Sequence, residues 1–309
     1  MLNLTLLITP IFLIILTGYI LKHHLISDDD VWNNINRLAY WVLFPCLLFN
    51  KTSVINFSEI SFGPLSIALI AGVSMAILGA YILGKFAGLG TPALTSVMQG
   101  GGRHNAFLAL AIVSQLYGDE GELIGAIVIA VLVTYTNIVI NVSLTVMLSS
   151  QKSGLTMILS DLKRNPFIIA ILLGVIFNLL GLGYLPILHQ FTQSVGQTTL
   201  TVALLCVGAG LRIREPGEKI LSSVIIACTA KFIIYPMTVY LLAKYFELSH
   251  VVTMVATIFA VTPTGTASYP LAKQMGGDAP LMASLISLET LLSVPIIPVM
   301  IIWLTEGVE

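Results

Sequence analysis

Two apolar segments of this chain are each interrupted in the middle by polar and helix-breaking residues, at corresponding places in its two halves. The first interruption reads Gly100-Gly101-Gly102-Arg103-His104-Asn105 and the second Thr262-Pro263-Thr264-Gly265-Thr266-Ala267-Ser268-Tyr269-Pro270. Inside a bilayer, backbone released from a helix cannot face lipid, because each unpaired N–H or C=O costs several kcal/mol. It persists only when buried in protein or lining a cavity. Two such breaks at matched positions point to a binding site between them. The bilayer follows from composition: 57% of the 309 residues are hydrophobic and 9% charged, against about 25% charged in a soluble chain. That is too little charge to cover a water-facing surface.

A span needs about 20 mostly apolar residues. Ten are read here: 3–22, 35–54, 64–86, 91–117, 121–148, 166–184, 194–212, 219–245, 250–274 and 279–304, of which the fourth and ninth are broken. Pro64, Pro92 and Pro166 stand at or near first helical positions, where a missing N–H costs nothing. Ser27 with Asp28, Asp29 and Asp30 caps an amphipathic lead-in to span two, a solvated helix start in preference to a metal site. Cys46, Cys206 and Cys228 lie in apolar runs and read as small hydrophobes. The N-terminus lacks a basic region and a cleavage site, so it reads as a retained first span.

Orientation follows from the basic residues. With the N-terminus outside, the cytoplasmic loops hold Lys22, Arg37, Lys85, Lys152, Lys163, Arg164, Arg212, Arg214, Lys219 and Lys273, and the outer loops only Lys51 and Lys244. The bias places both termini outside. The longest connection, 149–165, divides the chain into a first five-helix repeat, 1–148, and a second, 166–309. Arg103 to Ala111 aligns with Thr264 to Ala272, each followed after a two-residue adjustment by a Gly-Asp pair (Gly118-Asp119 and Gly277-Asp278), and Cys46 and Cys206 fall at nearly the same offset. Five spans per half force the second repeat into the membrane inverted.

In such a repeat the broken helices cross near the midplane. Gly100 to Gly102 remove side chains where backbones approach, and Pro263, Gly265 and Pro270 break the second helix. The half-helices beginning near Asn105 and Thr266 would aim their positive ends at the centre and favour an anion. Asn105, Thr266 and Ser268 are candidate caps or substrate hydrogen-bonders. Arg103 fits a carboxylate bidentately; the alternatives are a structural pair with an internal acid and an arginine near enough to a cavity mouth to be wet. His104 could titrate or be a hydrogen-bonded fixture. Glu289 and Lys231 lie deep in spans ten and eight, as ion-coupling groups, with the ammonium offsetting the negative ends of the first half-helices as a bound Na⁺ otherwise could, or as a pair with each other. Asn137 and Asn141 share a helix face and with Tyr135 and Thr134 could line the cavity, or bond between helices. Pro45, Pro236, Pro295 and Pro298 read as kinks.

These residues carry a resemblance to a known family. Phe44-Pro45, Gln99-Gly100 with Arg103, Asn105 and Leu108-Ala109-Leu110-Ala111, and the segment from Thr262-Pro263-Thr264 to Pro270-Leu271-Ala272 resemble the auxin efflux carriers and their bacterial members over nearly the full length. The resemblance implies crossed fourth and ninth helices, a scaffold of spans 1, 2, 6 and 7, and a transport domain of spans 3–5 and 8–10. It implies movement of one past the other, commonly in a homodimer, in the bacterial inner membrane. It also implies a substrate role for Asn105, and by extension for Pro263 and Thr264. The first break lacks the proline of plant members and the central loop is short, so a small aliphatic carboxylate of the malate or malonate kind is expected in place of auxin.

The expected function is thus secondary active transport of a small organic anion by alternating access. The expected partners are that anion and membrane lipid, with no nucleic acid and no cofactor beyond a coupling H⁺ or Na⁺. One alternative is a cation-coupled antiporter or sodium symporter of the same architecture, although no acidic pair of the kind such proteins place at the crossing is visible. A non-transporting receptor is another. An intramembrane enzyme would need a nucleophile with a base, a carboxylate pair or a metal triad at one depth, and the five histidines lie mostly at span ends.

Overall fold

The computed structural model describes residues 2–54, 61–148, 164–212 and 218–306. Regular structure among them is helical throughout. Five stretches are long and apolar enough to cross a membrane: Leu6–His24, Phe62–Phe86, Thr91–Leu148, Ile220–Tyr245 and Ala279–Trp303. The third holds spans four and five, which turn on Gly118 at φ 55°. Positive φ is cheap only for glycine, so a single residue suffices for the reversal.

In chain order the elements are α1 (Leu2–His24), α2 (Asp29–Leu38), α3 (Phe44–Ser53), α4 (Phe62–Phe86), α5 (Thr91–Gly102), α6 (Ala106–Leu148), α7 (Pro166–Leu179), α8 (Pro186–Gln197), α9 (Thr199–Ala209), α10 (Glu218–Thr229), α11 (Tyr235–Tyr245), α12 (His250–Val261), α13 (Ser268–Met275) and α14 (Ala279–Glu306). Two π-turns, Ala39–Leu43 and Ala230–Ile234, join α2 to α3 and α10 to α11. Each ends two residues before a proline, Pro45 or Pro236. A proline cannot donate to the helix ladder and crowds the preceding turn, and a π-turn widens the helix there. Pro295 and Pro298 stay inside α14.

Several expectations change. The amphipathic lead-in is continuous with span two, and its cap is Asp28, whose side chain accepts from Asp30 N at 2.8 Å. Span seven is split at Thr198, because residues 186–197 already form α8 behind Pro186. Asn50 fastens α8 by donating to His189 O at 3.1 Å and Thr192 Oγ1 at 3.1 Å. The two Gly-Asp pairs are not used alike: the positive-φ glycine of the second half is Gly276, and Asp278 caps α14 through Leu281 N at 3.0 Å. Most of the proposed central linker, residues 149–163 with Lys152 and Lys163, lies outside the described residues. So do Arg214 and the Lys219 side chain.

Spans two and six run side by side in the same direction. Tyr40 stacks on Phe167 at 4.7 Å, Phe49 on Phe177 at 5.3 Å, and Asn178 Nδ2 donates to Ser53 O at 3.0 Å. This fixes two ends of the molecule. At one end lie Tyr40, Arg164 and Asn165. At the other, Lys51 Nζ meets Asp119 Oδ1 and Glu122 Oε2, each at 2.6 Å, and Ser114 donates to Glu122 at 2.5 Å.

Candidate functional site

Both broken helices are broken in the structure, and the gaps are shorter than the sequence implies. Gly100, Gly101 and Gly102 remain helical as the last turn of α5, leaving only Arg103, His104 and Asn105 outside a helix. The three glycines serve contact. A Cβ on Gly100 would lie 3.1 Å from both the Ala227 methyl and Glu289 Oε1, and one on Gly101 would lie 2.8 Å from the Ala230 methyl. The second gap is 262–267. Pro270 falls in the first turn of α13, where proline removes no intrahelical bond, so it belongs to the helix and not to the break.

The gaps touch. A Cβ on Gly265 would lie 2.9 Å from His104 O, a distance only glycine tolerates. Thr264 Oγ1 donates to Gly100 O at 2.7 Å. Thr264 N donates to Glu289 Oε2 at 2.9 Å, and Lys231 Nζ donates to Arg103 O. Freed backbone groups at membrane depth therefore find partners from the opposite break and from two buried charges, as a low-dielectric setting demands. Lys231 and Glu289 are both fully buried. They do not pair with each other; each holds one break. The ammonium at the carboxyl end of α5 also opposes the negative pole of that half-helix.

Arg103 faces the other way. Its Nη2 donates to Asn137 Oδ1 at 3.0 Å, while its buried Nη1 has no partner among the described residues. No carboxylate there forms an ion pair with it. Two adjoining cavities meet at this guanidinium. The larger, about 540 Å³, opens toward the Arg164 end and is lined by Tyr40, Trp41, Arg103, Asn137, Asn141, Arg164, Asn165, Ala267 and Gln274 with apolar neighbours. The smaller, about 150 Å³, adds Asn36, His104, Asn105, Thr136, Gly265 and Thr266. Two arginines and several amides line the larger cavity, with no carboxylate among the described residues.

The structure thus brings Arg103, His104, Asn105, Thr266, Asn137 and Asn141 to cavity walls. Pro263, Thr264 and Ser268 are buried and line neither cavity. Asn105 caps the second half-helix, its Oδ1 accepting from Leu108 N at 3.1 Å. Both His104 ring nitrogens are buried without partners, as are Ser268 Oγ, Glu289 Oε1 and both amide atoms of Gln99. Tyr135 turns away, its hydroxyl 2.7 Å from Ser74 Oγ. Sequence reasoning missed Tyr40, Asn36, Thr136 and Gln274, and read Arg164 only as a loop charge and Asn165 only as a helix start. For Asn36 and Tyr40 the i, i+4 spacing on the lead-in to span two was the available signal.

A family model described as a membrane transport protein matches residues 4–301. The chain belongs to that family, the auxin efflux carrier-like transporters. No curated protein matches it. This member of the family is a multi-pass membrane transporter, and its long apolar helices agree with that. The buried charges of the transporter are then charges at membrane depth, where they are costly and occur in pairing or functional settings.

Proposed function

We propose that this transporter carries a small organic anion, a carboxylate or dicarboxylate, by alternating access at the crossing of its two broken helices. The observation that carries the reading is the larger cavity: among the described residues its walls hold two arginines and no carboxylate, and Arg103 Nη1 has no partner at the junction with the smaller cavity. A buried guanidinium nitrogen without a partner is unfavourable, and a substrate carboxylate would satisfy it. Asn105, Thr266 and Asn137 would orient the substrate. Thr264, Pro263 and Ser268 would hold the break open beside it.

Two inverted repeats, 1–148 and 166–309, provide the crossing, with spans 1, 2, 6 and 7 as scaffold and spans 3–5 and 8–10 moving past it. The paired end supports alternation. Lys51, on scaffold span two, is bonded to Asp119 and Glu122 of the moving domain at the end opposite the cavity mouth. One end is tied while the other is open, and transport would require those ion pairs to break. With the termini outside, the open end is cytoplasmic. Glu289, with one buried carboxylate oxygen unpartnered, is the proton carrier of choice, with His104 beside the break as a second titrating group. Lys231 supplies the fixed positive charge that a bound Na⁺ would otherwise bring, which favours H⁺ over Na⁺ as the coupling ion. A homodimer in the bacterial inner membrane completes the reading.

The test is uptake of labelled malate or malonate into proteoliposomes, with pH and Na⁺ varied independently. Wild type should transport with a pH gradient and without Na⁺. Transport unchanged in both Arg103→Ala and Asn105→Ala would remove these residues from the mechanism.

A further inference from the structure

A third cavity lies away from this site, between spans eight and ten. It is about 400 Å³ and lined by apolar side chains such as Ile233, Met237, Pro295 and Val299, with the indole of Trp303 at one end. It forms where the π-turn preceding Pro236 runs beside the two prolines of α14. Ile233 and Val299 are 58% and 65% exposed, so the groove opens sideways and not toward the protein interior. In a membrane that direction is the lipid phase.

One end of the groove carries a different chemistry. The Trp303 ring stands 5.8 Å from the Tyr240 ring, and Lys244 Nζ lies 5.8 Å over Tyr240. Aromatic rings followed by a cation are the sequence of groups found where a span leaves the hydrocarbon layer. From Phe232 at the deep end to Lys244 is twelve residues, about 18 Å at the helical rise. That is close to one leaflet, half of a hydrocarbon core of ~30 Å. An acyl chain lying in the groove would therefore bring its own phosphate level with Lys244.

We propose that this groove is a binding site for one anionic glycerophospholipid, its acyl chain along Met237 and Val299 and its phosphate at Lys244. The site is independent of the transported anion, and lipid occupancy can be read without any flux. The full-length transporter would be reconstituted in vesicles containing equal phosphatidylglycerol and phosphatidylcholine, extracted in mild detergent and weighed with its retained lipids by native mass spectrometry. Wild type should retain one phosphatidylglycerol in preference to phosphatidylcholine. Lys244→Ala should reduce that preference roughly fivefold, and Val299→Trp, which fills the groove, should remove the retained lipid while leaving the melting temperature unchanged. Equal retention of both lipids by wild type would overturn the proposal. So would unchanged retention in Lys244→Ala, which stands even if Val299→Trp fails to fold. A Val299→Trp protein that falls from dimer to monomer with its lipid intact would assign the groove to a second copy of the chain instead.

Discussion

The first break turns all its side chains to the cavities, while the second, apart from Thr266 and Ala267, is spent on bonds to the opposite break and to Glu289. Arg103, His104 and Asn105 all reach a cavity wall, and only the Arg103 carbonyl among their backbone groups takes a bond from a buried charge. In the second break, Thr264 gives its amide to Glu289 and its hydroxyl to Gly100 O, and Gly265 lies against His104 O. One gap presents chemistry, and the other supplies the compact wall against which that chemistry is held. The difference teaches that matched breaks in a sequence need not be matched in duty. Freed backbone in an apolar setting must be satisfied first, and whichever break does that has few groups left for a ligand.

The sharpest way to break this contrast is at Lys231. Lys231→Met should leave the Arg103 carbonyl without its donor and the carboxyl end of α5 without its opposing charge, costing about 2–4 kcal/mol, measured as a lowered melting temperature in detergent with no ligand added. A protein as stable as wild type would mean that the buried ammonium does not hold the first break. Next in size is Thr264→Val, which keeps the shape and removes the hydroxyl. It should cost about 1–3 kcal/mol by orphaning Gly100 O, with substrate affinity changed less than stability. The reverse ordering would place Thr264 on the substrate. Asn105→Ala should lose a helix cap worth about 1 kcal/mol and in addition raise the KM for transport. Loss of stability with an unaltered KM would assign Asn105 to capping alone.

The smallest effect is expected at the paired end. Hydrogen bonding and charge from Lys51 hold the Asp119 carboxyl below the usual carboxylate range. A depressed carboxylate stabilises above its unfolded pKa, about 4, and that contribution is lost as pH falls through the folded value. Asp119 is exposed while Lys51 and Glu122 are largely buried, so Asp119→Asn should cost only about 0.2–1 kcal/mol. Lys51→Ala, which removes both ion pairs, should in addition increase labelling of a cysteine placed at the half-buried Leu116, by releasing that end. Labelling equal to wild type would show that the ion pairs do not keep it closed.

Much of this was legible in the sequence. Polar and helix-breaking residues inside apolar runs located both gaps, because nothing else explains arginine, proline and glycine at that depth. The charged residues at membrane depth, Arg103, Lys231 and Glu289, were legible for the same reason. Lys231 was also legible as the charge that opposes the negative ends of the first half-helices, and it donates to Arg103 O. The other partners were not: Arg103 with an acid and Lys231 with Glu289 were the natural ion pairs, yet Arg103 meets the Asn137 amide and Glu289 the Thr264 amide, because freed N–H and C=O groups at that depth demand partners. The glycines misled in the opposite direction: Gly100 to Gly102 read as a break, but packing against Ala227, Ala230 and Ile77 keeps them helical. Tyr40 escaped notice because a tyrosine near a span end is ordinary, and only tertiary packing turns it toward the cavity.

The central claim is that Arg103 awaits a carboxylate. The direct measurement is a thermal-shift titration of the detergent-solubilised transporter with malonate, malate and a neutral diamide of the same length, for wild type and Arg103→Ala. A ligand that binds only the folded state raises the melting temperature with its concentration. Wild type should rise with at least one dicarboxylate and not with the diamide, and Arg103→Ala should respond to none. A dicarboxylate shift of equal size in both proteins, or a response to the diamide equal to that of the acids, would contradict the account.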